Sequence, residues 1–140
     1  MIDTSKYVGI PYEFAGSSFE GADCIGLLKL IFATEGWTPD FDDGKPMLPD
    51  WYIKEPKRIE RYLIKHFDRT KDVTSLTAFD IVYFMIEAEG HVGLLLPYGK
   101  CLSTFPPGNL QWNGSSMPSK SFVMHRNMWE YGFLSGFKRR

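Results

Sequence analysis

The sequence predicts an α+β fold in which a buried helix beginning at Cys24 packs on an antiparallel sheet. Three observations carry this. Helical periodicity is confined to the first half of the chain, up to about Phe67. From Phe79 onward the apolar residues fall in short runs bounded by turn residues. Between them, Cys-Ile-Gly-Leu-Leu-Lys-Leu-Ile-Phe-Ala-Thr from Cys24 to Thr34 is apolar nearly all round, which suits a helix inside a domain. Helices followed by strands imply that the two kinds of element form separate layers. A chain of 140 residues fits one domain, taken here as residues 1–140, and is long enough to bury a core.

The elements follow in order. Asp3 and Thr4 are placed to cap a short first helix that stops at Gly9, just before Pro11. A glycine-rich turn comes next, Ala15-Gly16-Ser17-Ser18-Phe19-Glu20-Gly21. Asp23 then reads as the N-cap of a helix from Cys24 to about Glu35, with Gly36 as its stop. Residues 37–55, rich in Pro, Asp and Gly, read as a long surface connection. Pro56 opens a further helix whose Ile59, Tyr62, Leu63, His66 and Phe67 share one face. Strands are expected over residues 80–85, 91–96 and 101–105, then a loop with Pro106-Pro107-Gly108, then weaker strands near 110–112 and 122–124.

Composition excludes several functions. Apolar residues make up 44% and charged residues 24%, with a net charge of −1, which leaves no electrostatic footprint for nucleic acid or an anionic membrane. No apolar run approaches the roughly 18 residues that a membrane helix needs. The start, Met-Ile-Asp-Thr-Ser-Lys, has no apolar signal core, so the expected site of synthesis is the cytoplasm and a substrate outside the cell would require a carrier. The 3 histidines and 2 cysteines show no metal-ligand spacing, so neither zinc nor another cofactor is expected. The aromatic share of 16% allows Trp37, Trp51 and Trp112 to shape a groove or to anchor the core.

The chemistry-bearing residues are few. Cys24 sits in the first turn of the buried helix, where unpaired backbone N–H groups and the positive helix end favour a thiolate and can receive an oxyanion. Flanking Gly21 and Gly26 allow close approach of backbone and substrate. Cys101 lies inside an expected strand and reads as core. A thiol nucleophile needs a base. His66 falls on the apolar face of a helix, and His125 lies in a weakly patterned stretch beside Arg126 and Asn127. His91 opens a strongly apolar strand after the acidic turn Glu87-Ala-Glu89-Gly90, where its side chain would stand at the sheet margin, and it is the best base.

The stretch Tyr12-Glu-Phe-Ala-Gly16-Ser-Ser-Phe-Glu-Gly21-Ala-Asp23-Cys24-Ile-Gly26-Leu27 resembles the nucleophile motif of the NlpC family of papain-like cell-wall cysteine peptidases. That motif runs Tyr, two residues, Gly-Gly, then a short run to Asp-Cys-Ser-Gly-Leu. Phe79-Asp80-Ile-Val-Tyr-Phe84 resembles the family's Gly-Asp-Leu-Val-Phe-Phe strand, and His91-Val-Gly-Leu94 its catalytic histidine segment. Order and spacing agree at three separate sites. The opening Tyr7-Val-Gly-Ile-Pro-Tyr12, the Pro-Asp-Trp51 stretch and the ending Gly136-Phe-Lys-Arg-Arg140 are similar to peptidases encoded in bacteriophage tail gene clusters.

The resemblance implies a papain-like fold of NlpC type. It makes Cys24 the nucleophile, His91 the base and Tyr12 the hydroxyl beside the sulfur. Asp23 becomes a cap whose backbone N–H helps the oxyanion site, and Asp80 a turn residue. The substrate would be a peptidoglycan stem peptide, cut at the amide between D-glutamate and diaminopimelate or its lysine equivalent, with phage tail-tip proteins as partners.

This sequence departs from the pattern at three places. The residue that holds the imidazole, twelve positions after the base, is Ser103, where the family has His, Asn or Gln. Across a turn at Pro97-Tyr98-Gly99, residues 91 and 103 are diagonal neighbours about 7–8 Å apart, a long reach for a serine, so Thr104 or a water is an alternative orienter. Ala15 and Ile25 replace the family's Gly and Ser. Ser103 favours a second reading, a structural or assembly protein of a phage tail with little catalysis. An acyltransferase of the lecithin retinol acyltransferase type would need lipid-facing character that the sequence lacks.

Overall fold

The runs Ile81–Ile86 and Glu89–Leu95 are apolar at nearly every position, and the fold uses both of their faces. The computed structural model describes residues 3–36, 58–87, 89–107, 111–112 and 114–139. The expected connection over 37–55, Pro56, Trp37 and Trp51 lie outside the described residues, and of Trp112 only the backbone is described.

A six-stranded antiparallel sheet forms the centre. Its strands are β3 (Phe67–Thr70), β4 (Ile81–Ile86), β5 (Glu89–Leu95), β6 (Cys101–Ser103), β9 (Phe122–Met124) and β10 (Phe133–Arg139), in the spatial order β3-β10-β4-β5-β6-β9. Two short hairpins lie outside it: β1 (Ser17–Ser18) with β2 (Gly21–Ala22), and β7 (Gln111–Trp112) with β8 (Ser115–Ser116). The helices are α1 (Cys24–Thr34), α2 (Arg58–Leu63) and α3 (Arg126–Glu130).

Strand alternation divides the core in two. Ile81, Tyr83, Val92, Leu94 and Leu102 face α1, and pack with its Leu27, Leu28, Ile31 and Phe32 and with Tyr7, Ile59 and Leu63. Each such side chain contributes about 1.5–3 kcal/mol on burial. Val82, Phe84, Ile86, Leu95, Cys101 and Phe105 point the other way, onto Met117, Met124 and Trp129 of α3. With both faces covered, the strands read as nearly continuous apolar runs.

Two expected elements change, and one strand is unanticipated. The first helix is one 3-10 turn, Ser5–Tyr7, held by the Asp3 carboxylate, which accepts from the Ser5 N–H at 3.1 Å and hydroxyl at 2.7 Å. α2 ends at Leu63, so His66 stands in the following turn and Phe67 begins β3, its ring 6.0 Å from Phe32. A residue four positions after Leu63 is buried whether the chain continues as a helix or turns into an edge strand, so periodicity did not separate the two. β10 was not anticipated, because Ser135, Gly136, Lys138 and Arg139 give it weak strand character, yet it pairs with both β3 and β4.

α1 is placed by one carboxylate and two glycines. Asp23 Oδ1 accepts from the Gly26 N–H at 2.7 Å, the expected cap, while Oδ2 accepts from the Ala15 N–H at 2.8 Å and ties down the preceding turn. Ala15 adopts φ 61°, where the family's pattern has glycine. A Cβ added at Gly26 would lie 1.6 Å from the Gly16 carbonyl oxygen, and one at Gly16 2.6 Å from that of Gly21. These glycines therefore serve contact between the turn and the helix. Asp23→Ala is expected to destabilise the protein by about 1–2 kcal/mol, the ordinary value of a lost cap, with Asp23→Asn losing less. Gly26→Ala is expected to lose more than Asp23→Ala. Urea unfolding of the three variants checks this order.

Candidate active site

Asp23 caps α1 in a way that leaves Cys24 as its first residue, part-buried and packed against the α1-side core. The sulfur meets backbone N–H groups from Val92, Ile25 and Cys24 itself, which favour a thiolate. Burial opposes them and wins, with the Asp23 carboxylate adding to it, so the thiol is pushed up to about 12. The helix start alone therefore does not make a standing thiolate, contrary to the expectation drawn from its position. Cys101 is fully buried in β6 and burial raises its thiol also.

Contact of the sulfur with Val92 brings it to β5 at the residue next to His91. The imidazole itself belongs to the other face, opposite Phe84 in the ladder and edge-on to Phe105 with centroids 4.5 Å apart. It is 3% exposed, and burial alone pulls it down to about 4. Among the described residues no hydrogen bond joins it to Cys24, and Nε2 is buried with no partner. The nearest charge to Nε2 is a carboxylate oxygen of Glu89 at 3.9 Å, beyond hydrogen-bond range.

Tyr12 is half-buried, its N–H bonded to the Ser119 carbonyl at 2.9 Å. Burial raises its phenol well above the usual range, and Cys24, Asp23 and Glu89 add to this, so the hydroxyl shares the neighbourhood of the sulfur. Tyr83 also faces Cys24, and its hydroxyl leans over Gly90, where a Cβ would come within 2.6 Å. Sequence reasoning missed Tyr83 and Glu89. Alternation held the signal for both: Tyr83 falls on the α1 side of β4, and Glu89 precedes His91 by two on the same side of β5.

Two expected roles are corrected. The Ser103 hydroxyl donates to the Val92 carbonyl at 2.6 Å and is not bonded to His91. The β5–β6 ladder has two pairs, Leu94 with Leu102 and Leu95 with Cys101, and Ser103 satisfies a carbonyl where that ladder opens. Thr104, the alternative orienter, is buried without a hydrogen bond. The Asp23 N–H donates to the Gly16 carbonyl at 3.2 Å, which takes it away from oxyanion duty, whereas the N–H groups of Cys24 and Ile25 face the sulfur. Asp80 is a turn residue as expected: its carboxylate accepts from the Thr77 N–H at 2.9 Å and the Arg139 N–H at 3.2 Å and pairs with Lys138. His66 lies part-buried in its turn and His125 is exposed at the start of α3. Among the described residues no cluster of His, Cys, Asp and Glu could hold a metal ion.

The buried imidazole makes stability depend on pH. Unfolded, it binds a proton near 6.5; folded, only near 4. Between these values the unfolded chain holds more protons, so stability is full above 6.5 and falls as the pH falls. The loss attributable to His91 from pH 7 to 4 is on the order of 3 kcal/mol, and His91→Asn is expected to lose correspondingly less over that window in urea unfolding at a series of pH values.

No sequence-family model matches this chain, and no curated protein matches it. Solved structures do. The NlpC/p60 domain of the peptidoglycan hydrolase SagA matches with a TM-score of 0.58 and 17% identity, over 95% of this chain and 90% of that one. An NlpC/p60 family protein from Bacillus cereus ATCC 10987 matches with a TM-score of 0.60 and 19% identity over 95% of this chain. A protein similar to lipoprotein, of the NLP/P60 family, from Staphylococcus aureus subsp. aureus Mu50 matches at 0.57 and 17% over 96%. This chain spans 36% and 38% of the latter two. Helices on an antiparallel sheet, with a cysteine opening the helix that abuts the central strands, thus form the papain-like fold of NlpC/p60 domains.

Proposed function

We propose that this chain is a cysteine peptidase that hydrolyses peptidoglycan stem peptides, with Cys24 as nucleophile and His91 as base. The observation that carries the proposal is the seat of the Cys24 sulfur: first turn of α1, against the Val92 N–H, one residue from His91. The peptidoglycan hydrolase among the structural neighbours supports the substrate class. Resemblance of the nucleophile motif supports cleavage of the amide after D-glutamate in the stem.

The proposed step follows from the burial of both groups. With thiol and imidazole both buried and pushed towards their neutral forms, the resting pair is uncharged. Proton transfer from sulfur to imidazole creates both charges together, so each offsets part of the other's desolvation. The sulfur attacks the carbonyl carbon and the N–H groups of Cys24 and Ile25 receive the developing oxyanion. The imidazolium returns its proton to the leaving amine, a thioester remains on Cys24, and water activated by the imidazole releases the acid. The Tyr12 hydroxyl borders the sulfur and helps to seat the attacked group. Delivery by a phage tail tip is part of the proposal and is supported only by the sequence likeness to tail-encoded peptidases.

A second reading, an NlpC-fold structural or assembly protein with little catalysis, is favoured by one observation: Nε2 of His91 has no partner and the Ser103 hydroxyl is spent on Val92. Digestion of purified peptidoglycan, with mass analysis of the fragments, separates the two. Wild type is expected to release stem-peptide cleavage products, and Cys24→Ala and His91→Ala to lower the rate by at least ~10³-fold. Identical fragment profiles from wild type and Cys24→Ala would remove the cysteine from the mechanism.

A further inference from the structure

Ser103 stands where an orienting residue belongs and is engaged elsewhere, so the His91 ring lacks the partner its role requires. For Nδ1 to take a proton from the thiol, Nε2 must carry the other proton and needs an acceptor. Nε2 is buried and unpartnered, a condition that ordinarily costs about 1–3 kcal/mol.

One carboxylate is within reach. Glu89 precedes His91 by two residues on β5, so both side chains stand on the same side of the strand, and a carboxylate oxygen lies 3.9 Å from Nε2. Glu89 pairs with Ile86 in the ladder to β4, and Glu87 takes φ 55°. The Glu89 side chain is 35% exposed, which leaves it room to rotate. Catalytic hydrogen bonds are often long before substrate binds and tighten afterwards.

We propose that Glu89 is the positioning residue of His91, accepting the Nε2 proton in place of the polar residue that Ser103 does not supply. The inference rests on the proposed Cys24–His91 pair and assigns a third member to it. In the step, Nε2–H donates to the Glu89 carboxylate, Nδ1 receives the Cys24 proton, and the carboxylate offsets the charge of the resulting imidazolium. Glu89 borders Glu87 and Tyr12, and Tyr12 in turn borders Cys24 and Asp23. Burial and Glu87 raise the Glu89 carboxyl, and an adjacent imidazolium draws it back toward the carboxylate form.

Alkylation of the folded protein by iodoacetamide, followed at Cys24 by peptide mass spectrometry from pH 5 to 10, tests this without a substrate, with buried Cys101 as reference. Wild type is expected to show a shoulder of Cys24 reactivity near neutral pH, from transfer to His91, and a second rise at high pH from the free thiolate. Glu89→Gln is expected to lower the neutral shoulder at least ~10-fold and leave the alkaline rise, and Glu89→Asp to restore part of it. Unchanged circular dichroism and unfolding midpoint in Glu89→Gln exclude a folding defect. On peptidoglycan, Glu89→Gln is expected to lower kcat with KM unchanged. A wild-type shoulder that persists in Glu89→Gln overturns the role of Glu89 while leaving the peptidase reading intact. A Glu89-dependent shoulder in a protein that releases no peptidoglycan fragments supports the role and overturns the substrate. Absence of any wild-type shoulder overturns both.

Discussion

The Asp23 carboxylate holds the start of α1 and the turn before it as one unit, and the site depends on that junction. One oxygen takes the Gly26 N–H and the other takes the Ala15 N–H, so cap and loop are fixed by the same group. Glycines at 16 and 26 let the backbones approach to distances no side chain allows, and a Cβ at Gly21 would meet the Glu13 side chain. The result is a helix whose first residue can only be where it is, with its sulfur against β5.

That placement sets two electrostatic effects against each other. Backbone N–H groups at a helix start favour a thiolate, while enclosure by the core and the nearby Asp23 charge favour a thiol. Burial is the larger effect for both sulfur and imidazole. Under the proposed mechanism such a pair is uncharged at rest and becomes ionic only when the proton crosses, so whatever steadies the imidazolium matters more than in a solvated site. Under that proposal the engagement of the Ser103 hydroxyl by the Val92 carbonyl is consequential, and so is the Glu89 carboxylate near Nε2.

The sheet accounts for the rest of the geometry. β5 is shared between the two halves of the core: Val92 and Leu94 face α1, while His91 and Leu95 face the Trp129 side. The ladder to β6 opens beyond Leu94, and there the sulfur finds the Val92 N–H while Ser103 takes the Val92 carbonyl. A glycine at 93 is needed because a Cβ would sit 2.3 Å from the Cys101 sulfur, which lets the strands close tightly just before they part.

Much of this was legible in the residues. The cap at Asp23, the helix from Cys24, the three central strands and the inert Cys101 follow from local signals: a short polar side chain before an apolar run, and apolar runs between turn residues. These are determined within a few residues of chain, so the sequence states them directly. β3 and β10 are held by pairing between residues 67–70 and 136–139, far apart in the chain, and their polar composition hides them. The orientation of functional groups belongs to the same class. Which acceptor the Ser103 hydroxyl finds, whether the Asp23 N–H is free, and which carboxylate comes near His91 depend on where a ladder opens and how a turn is tied. The sequence by itself thus determined the helix from Cys24 and the central strands, and it singled out Cys24 and His91 as the candidate pair. Only the tertiary structure decided their burial and their hydrogen-bond partners, because both are properties of groups brought together from distant parts of the chain.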